Sequence, residues 1–357
     1  MPLADHLQHL CQSPTFEYPI PILEFAQATY RNYLLDAFSS YRALFPLECL
    51  RLFILSPHTQ NHVQPLQLAH HSPASQAVGQ LRSTASLSHN LTQAQSLVRK
   101  AHAAGASVLF LPEASDYLTT GSSLGLCKPI TSSPFVRGLQ DSAKQYSLPI
   151  NVGIHEPGTD GQKVKNTSIW IDETGEITQR YQKIHMFDVD INNGPQLKES
   201  NGVEPGTQIL DPFTTPVGTL GLQICFDMRF PEPGIALRQR GAQIIAYPSA
   251  FTTPTGIAGH WEMLLRGRAL ETQTYIIAAA QVGIHDDEGK RRSYGHSMIV
   301  DPWGKVIAEL GGDDKGEGAK WDDEGEIAVA EIDLEYVDKV RGQIPLKRRT
   351  DVYAELV

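Results

Sequence analysis

From Ala77 onward the chain alternates between short apolar runs and longer segments whose apolar residues recur every three to four positions. The first pattern predicts strands and the second predicts amphipathic helices. Residues 77–82 (AVGQLR) read as a strand. Ser88 is placed to cap a helix that runs to Ala104, where Gly105 stops it. Residues 108–113 (VLFLPE) form a buried strand, a helix follows over about 133–147, and 149–156 (PINVGIHE) read as a strand again. Residues 166–172 and 176–183 alternate around the turn sequence DETGE, as a β-hairpin does. Residues 218–225 (GTLGLQIC) form a strand that runs into Cys225. Next come a helix over about 231–241, a strand at 242–250, a helix at 260–274 and one strand over 275–283. A hairpin-like pair around Trp303-Gly304 and a last strand at 326–333 close the pattern. Helices interleaved with strands and hairpins imply an α/β layered domain with a mixed sheet. No internal repeat, G-x-G-x-x-G or P-loop occurs.

Before Ala77 the pattern breaks down. No lysine precedes Lys100, and six of the thirteen histidines fall in residues 1–76. Residues 22–55 have apolar positions that fit one or two helices. The stretch from Ser56 to Gln76, rich in His, Gln, Pro and Ser, reads as linker or disorder. The segment has neither the Arg-rich, acid-poor character of a mitochondrial presequence nor a basic start followed by an apolar core. The expected organisation is therefore an N-terminal extension over 1–76, one α/β domain over 77–345 and a C-terminal tail over 346–357. Arg348, Arg349 and Asp351 in that tail suit docking at an interface.

Composition narrows the function. The 357 residues are 41% hydrophobic and 20% charged, with a formal net charge of -10. That balance suits a globular protein and argues against nucleic acid as the partner, since phosphate binding needs clustered Lys and Arg. No run approaches the roughly 20 apolar residues that span a bilayer. Cys11, Cys49, Cys127 and Cys225 are widely spaced, with no C-x-x-C pair. They suggest neither a zinc site nor a disulfide scaffold, and they fit a reducing, cytoplasmic compartment. No metal or cofactor is implied.

Three strand ends carry candidate chemistry. Cys225 closes an apolar strand just before a sharp turn; it is either a buried small hydrophobe or a nucleophile exposed at the sheet rim. Glu113 follows five apolar or turn-forming residues, where a buried carboxylate needs a partner, although a solvated Glu just past the strand reads the same way. Lys183 ends a hairpin strand, a place where most lysines are solvated. Together they supply an acid/base, a cation and a thiol at the rim where α/β sheets build sites. Arg229, four residues past Cys225, either meets a substrate carboxylate or pairs with Glu232. His260 and His296 read as structural.

The triple L-P-E at 111–113, Y-x-K-x-H at 181–185 and C-x-D-x-R-F-P-E at 225–232 resembles the carbon–nitrogen hydrolase (nitrilase) superfamily. A-Y-P-S-A-F at 246–251, H-W-E at 260–262, R-A-L-E-T-Q at 268–273 and Y-G-H-S-M-I-V-D-P-W-G at 294–304 are similar to its Nit branch. The resemblance implies a four-layer αββα sandwich that associates as a homodimer or a higher homo-oligomer. It implies Cys225, Lys183 and Glu113 as the catalytic set, with Glu199 in L-K-E-S as an assisting carboxylate that orients Lys183 or a water. The Phe226 backbone N–H joins Lys183 as a donor to the oxyanion. The implied reaction is hydrolysis of a small primary ω-amide through a cysteine thioester, with no cofactor. A non-catalytic scaffold that keeps only the sandwich is the reading from another class.

Overall fold

A computed structural model describes residues 74–190, 196–316 and 324–354. The predicted extension over 1–76 lies outside the described residues except for its last three, and these already belong to a strand. Strand β1 (Ala74–Leu81) starts at Ala74, and Ala74–Gln76 pair with Ile332–Ala330.

The next elements are α1 (Leu87–Ala103), β2 (Val108–Phe110), α2 (Pro134–Tyr146), β3 (Ile150–Pro157), β4 (Val164–Ile171) and β5 (Ile177–Gln182). A small ribbon of β6 (Asp188–Asp190) and β7 (Gln196–Lys198) follows. Then come β8 (Phe213–Thr215), β9 (Gly218–Leu222), α3 (Pro231–Gln239), β10 (Ile244–Ala246), α4 (His260–Thr272), β11 (Tyr275–Ala278), β12 (Ala280–Ile284) and β13 (Arg292–Tyr294). The last are β14 (Met298–Val300), β15 (Val306–Glu309), β16 (Glu326–Ile332) and α5 (Leu334–Gln343).

These strands make two mixed sheets. One runs β13-β12-β1-β2-β3-β4-β5, with β16 also paired to β1; the other runs β15-β14-β11-β10-β9-β8. Residues of the first sheet alternate between two cores, as the period of a pleated strand requires. Leu109, Leu111, Ile169 and Ile171 pack with Leu97, Val98, Phe135 and Leu139 of α1 and α2. Val108, Phe110 and Trp170 point the other way, into a cluster with Leu220, Leu222 and Ile244 of the second sheet. The Trp170 and Phe213 rings meet edge to face across the sheets at 5.5 Å. Leu237 of α3 and Trp261 and Leu265 of α4 cover the far side of the second sheet. The order of layers is helices, sheet, sheet, helices, as the resemblance implied.

Three details differ from the pattern reading. The helix α1 is capped by Ser86, whose Oγ accepts from the His89 N–H at 3.4 Å; Ser88 lies inside the first turn. The run 275–283 is two strands, one in each sheet, with the break at Ala279. Residues 276–280 are all apolar and carry no period, so they cannot show where the chain crosses between two buried sheets. The strands β6, β7, β8 and β13 have three residues each, too short to leave an alternation in the sequence.

Candidate active site

The sheet geometry aligns a row of side chains. His155 on β3 is directly opposite Asn166 on β4. The β4–β5 pairing continues to Lys183, whose N–H donates to the Asn166 carbonyl at 2.9 Å. Opposed residues of antiparallel strands share a face, so His155, Asn166 and Lys183 point into one space. Glu113 joins them from the segment after β2. Its chain runs against Gly153 of β3, where a Cβ would lie 2.5 Å from the Glu113 Cα; only glycine permits that approach.

Cys225 enters from the second sheet. It opens a 3₁₀ turn, Cys225–Arg229, three residues beyond the end of β9. Its φ is +43°, a left-handed conformation that costs a non-glycine residue about 1–2 kcal/mol. The fold holds it there. The Cys225 N–H donates to the Pro248 carbonyl at 3.0 Å, and the buried Asp227 accepts from the Ile224 N–H at 3.0 Å and the Tyr181 hydroxyl at 2.7 Å. The first bond of the turn runs from Asp227 N to Ile224 O, so the Phe226 N–H precedes it and has no partner within the turn.

The charged groups interlock. Lys183 Nζ donates to Glu113 Oε1 at 3.0 Å and to both Glu199 oxygens at 3.0 Å. Asn166 Nδ2 donates to Glu113 Oε1 at 2.7 Å and reaches Glu199 Oε1 at 3.4 Å. The Ala250 N–H donates to Glu113 Oε2 at 2.7 Å, and the Cys225 thiol lines the same cavity. Glu199 is fixed by the Phe187 N–H at 2.6 Å. Glu113 and Lys183 are buried, at 4% and 2% exposure, so the bond between them is little screened by bulk water.

Burial raises the Glu113 carboxyl, but the Lys183 charge and the bonds from Lys183, Cys225 and Asn166 outweigh it and hold the group below its ordinary value. Burial lowers Lys183, and the Glu113 and Glu199 carboxylates more than reverse this. Burial and the Glu113 charge push the Cys225 thiol well up, with Lys183 opposing. The resting site therefore holds a carboxylate, an ammonium and a protonated thiol.

All these groups line one cavity of about 250 Å³. Arg229 reaches the same cavity. Its guanidinium lies 5.8 Å from the Phe226 ring and 5.6 Å from the Phe251 ring and contacts His260 Nδ1 at 3.3 Å. Among the described residues it forms no ion pair, so the pairing with Glu232 that its sequence position allowed is not made. His296 bonds Glu309 and Asp314 away from the cavity. Sequence reading missed Asn166 and His155. Their signal, alternate positions on strands that lead to Glu113 and Lys183, is visible only once the strands are in register. Among the described residues no His, Cys, Asp and Glu side chains gather as a metal-holding set.

Comparison with known proteins agrees with this geometry. Residues 76–342 match the model of the carbon–nitrogen hydrolase family. The chain belongs to that family. The hydrolase is 48% identical over 280 residues to "Probable hydrolase nit2" of Schizosaccharomyces pombe, covering 78% of this chain and 98% of that one. It is 41% identical over 288 residues to the human "Deaminated glutathione amidase", covering 78% and 84% of the two chains. Among solved structures it is similar to the Caenorhabditis elegans NitFhit protein, with a TM-score of 0.71, 37% identity and coverage of 80% of this chain and 66% of that one. Saccharomyces cerevisiae Nit3, described as a nitrilase-superfamily member, aligns with a TM-score of 0.64 and 29% identity over 78% and 96% of the chains. The protein is a hydrolase of carbon–nitrogen amide bonds. No helix among the described residues is long and apolar enough to cross a membrane.

Proposed function

We propose that the hydrolase cleaves deaminated glutathione to 2-oxoglutarate and Cys-Gly, with Cys225 as nucleophile. The carrying observation is an arginine, Arg229, without an acidic partner among the described residues, in the cavity that holds Glu113, Lys183, Glu199 and Cys225. An unpaired guanidinium inside a cavity calls for an anionic ligand, and the planar fork suits the carboxylate of a 2-oxo acid. The similarity to deaminated glutathione amidases supports the same substrate.

In this reading the Cys225 proton passes to Glu113 as sulfur attacks the amide carbon. Lys183 and the Phe226 N–H receive the oxyanion; losing one such donor costs about 10²–10³ in rate. Glu113 returns the proton to the departing nitrogen. It then takes a proton from water, whose oxygen bonds to the acyl carbon as the C–S bond breaks, and sulfur regains a proton. Glu199, bonded to Lys183 through both oxygens, sets the position of the ammonium. The scissile bond of deaminated glutathione is a secondary amide, so the amine of Cys-Gly leaves; the ammonia implied by a primary ω-amide belongs to the alternative substrate, α-ketoglutaramate. A scaffold role has no use for this cluster, because apolar side chains of similar volume would stabilise the fold as well as these carboxylates and the ammonium do.

We assign a homodimer as the assembly. Met263 and Leu270 on α4 are 72% and 54% exposed, and Leu270 packs beside Gly304 next to the exposed Trp303. The test of substrate is kcat/KM for deaminated glutathione, α-ketoglutaramate and propionamide. The proposal expects that order of preference; equal values for propionamide and the oxo acids would refute it.

A further inference from the structure

His155 lines the cavity but has no part in the acyl-transfer steps described above. Its position is built. Asp116 accepts from the His155 backbone N–H at 2.9 Å and meets Nδ1 at 2.9 Å, so one carboxylate fixes both the chain and the ring. Tyr117 stacks on the ring with centroids 4.3 Å apart. The side chain is only 11% exposed. With Nδ1 held by Asp116, Nε2 is the ring's free polar atom, and among the described residues it has no partner. The cross-strand pairing with Asn166 puts the ring beside the side chain that bonds Glu113 Oε1.

This places His155 on the side of Glu113, the group that protonates the departing nitrogen. Arg229 follows Cys225 on the other strand system, where the substrate reading above puts the acyl part. We propose that His155 is a specificity-determining residue that recognises the leaving group, its Nε2–H donating to a carbonyl or carboxylate oxygen of an amino-acid or peptide amine. The inference rests on the substrate reading above and adds to it: the enzyme selects the amine side of the amide as well as the acid side. Primary amides, which release ammonia, leave this donor without an acceptor.

The titratable groups facing His155 are Asp116, Glu113 and the stacked Tyr117, from the segment after β2, Glu199, from the turn after β7, and Lys183, just past β5, whose charge is paired with Glu113 and Glu199. Burial lowers the imidazolium, and these three carboxylates, Asp116 foremost, more than offset it, so the ring is held cationic to higher pH than a free histidine. A group with a raised value keeps its charge below that value and loses it as pH rises through it. A charged donor also binds oxygen more strongly than a neutral one.

The test compares two substrates with the same acyl group, deaminated glutathione and α-ketoglutaramate, on the full-length wild type and on His155→Gln and His155→Phe. Both substrates give the same 2-oxoglutaryl thioester, so any difference arises before or during acylation. The proposal expects kcat/KM for deaminated glutathione to fall about 10–100-fold in both variants, the worth of one charge-assisted hydrogen bond. The α-ketoglutaramate value should change less than about threefold, because its ammonia leaving group offers the Nε2–H no acceptor in the transition state. In the wild type the peptide substrate alone should lose kcat/KM at high pH, and this limb should vanish in His155→Gln. Equal losses on both substrates would make His155 a structural support, and no loss on either would place it outside recognition; each overturns the proposal. A wild type that hydrolyses α-ketoglutaramate but not deaminated glutathione would overturn the substrate reading and this inference together, whereas a uniform loss in the variants overturns the inference alone.

Discussion

The Asp227 carboxylate holds His185 at two points: Oδ1 accepts from the His185 backbone N–H at 3.0 Å and meets Nδ1 at 2.8 Å. Its other oxygen takes the Tyr181 hydroxyl. Tyr181 and His185 flank Lys183 by two residues on either side, and Asp227 is two residues past Cys225. One buried carboxylate thus sets the cation of the first sheet against the thiol of the second.

Removing it should disturb catalysis and stability together. Asp227→Ala leaves the Ile224 N–H, the His185 N–H and the Tyr181 hydroxyl without their acceptor, at about 1–3 kcal/mol for each buried donor. Differential scanning calorimetry should show a melting temperature lower by many degrees, with kcat reduced more than about a hundredfold by misplacement of the reacting groups. An active, equally stable variant would show that the sheets align without it.

Gly153→Ala tests the close approach of β3 to Glu113. A methyl group 2.5 Å from the Glu113 Cα forces the backbone away. Overpacking of this kind costs about 1–3 kcal/mol. Activity should fall by a larger factor than that loss explains, because Glu113 moves with its backbone. Chemical denaturation and kcat on the same preparation separate the two.

Lys183→Met should abolish turnover and also destabilise the protein. Without the ammonium, Glu113 and Glu199 are left as buried carboxylates that share only Asn166 as a donor, and removing one partner of a buried ion pair costs about 3–5 kcal/mol. Glu113, held low by the Lys183 charge, then rises, so the penalty is present at high pH and shrinks as pH falls and its carboxyl protonates. The gap in melting temperature between wild type and Lys183→Met should be wider at pH 8 than at pH 5. A constant gap would contradict the charge balance described for the site.

Met263→Glu with Leu270→Asp places charge on the exposed apolar face of α4. Light scattering after size exclusion should show a shift from dimer to monomer, with the melting temperature of the monomeric unit little changed. An unaltered mass would put the interface elsewhere.

Much of this site could be read from the chain because its parts sit at strand ends. Cys225 and Glu113 each follow an apolar strand and Lys183 follows an alternating one, and a strand has a legible end. Glu199 was found through the family resemblance, since nothing in L-K-E-S shows that its turn faces inward. Asn166 and His155 were missed because their meaning is cross-strand: they matter through what lies beside them in the sheet. Asp227 was present only as a motif letter, and its reach to Tyr181 and His185 joins residues more than forty positions apart. The crossing at Ala279 was hidden because residues 276–280 on either side of it are all apolar.

The central claim is that Cys225 carries the acyl group. Rapid acid quench of the wild type during turnover of deaminated glutathione, followed by peptide mass spectrometry, tests it directly. The account predicts a 2-oxoglutaryl adduct on the peptide containing Cys225, absent from Cys225→Ala, which should be folded and inactive. Turnover by Cys225→Ala, or an adduct on Cys127 in place of Cys225, would contradict it.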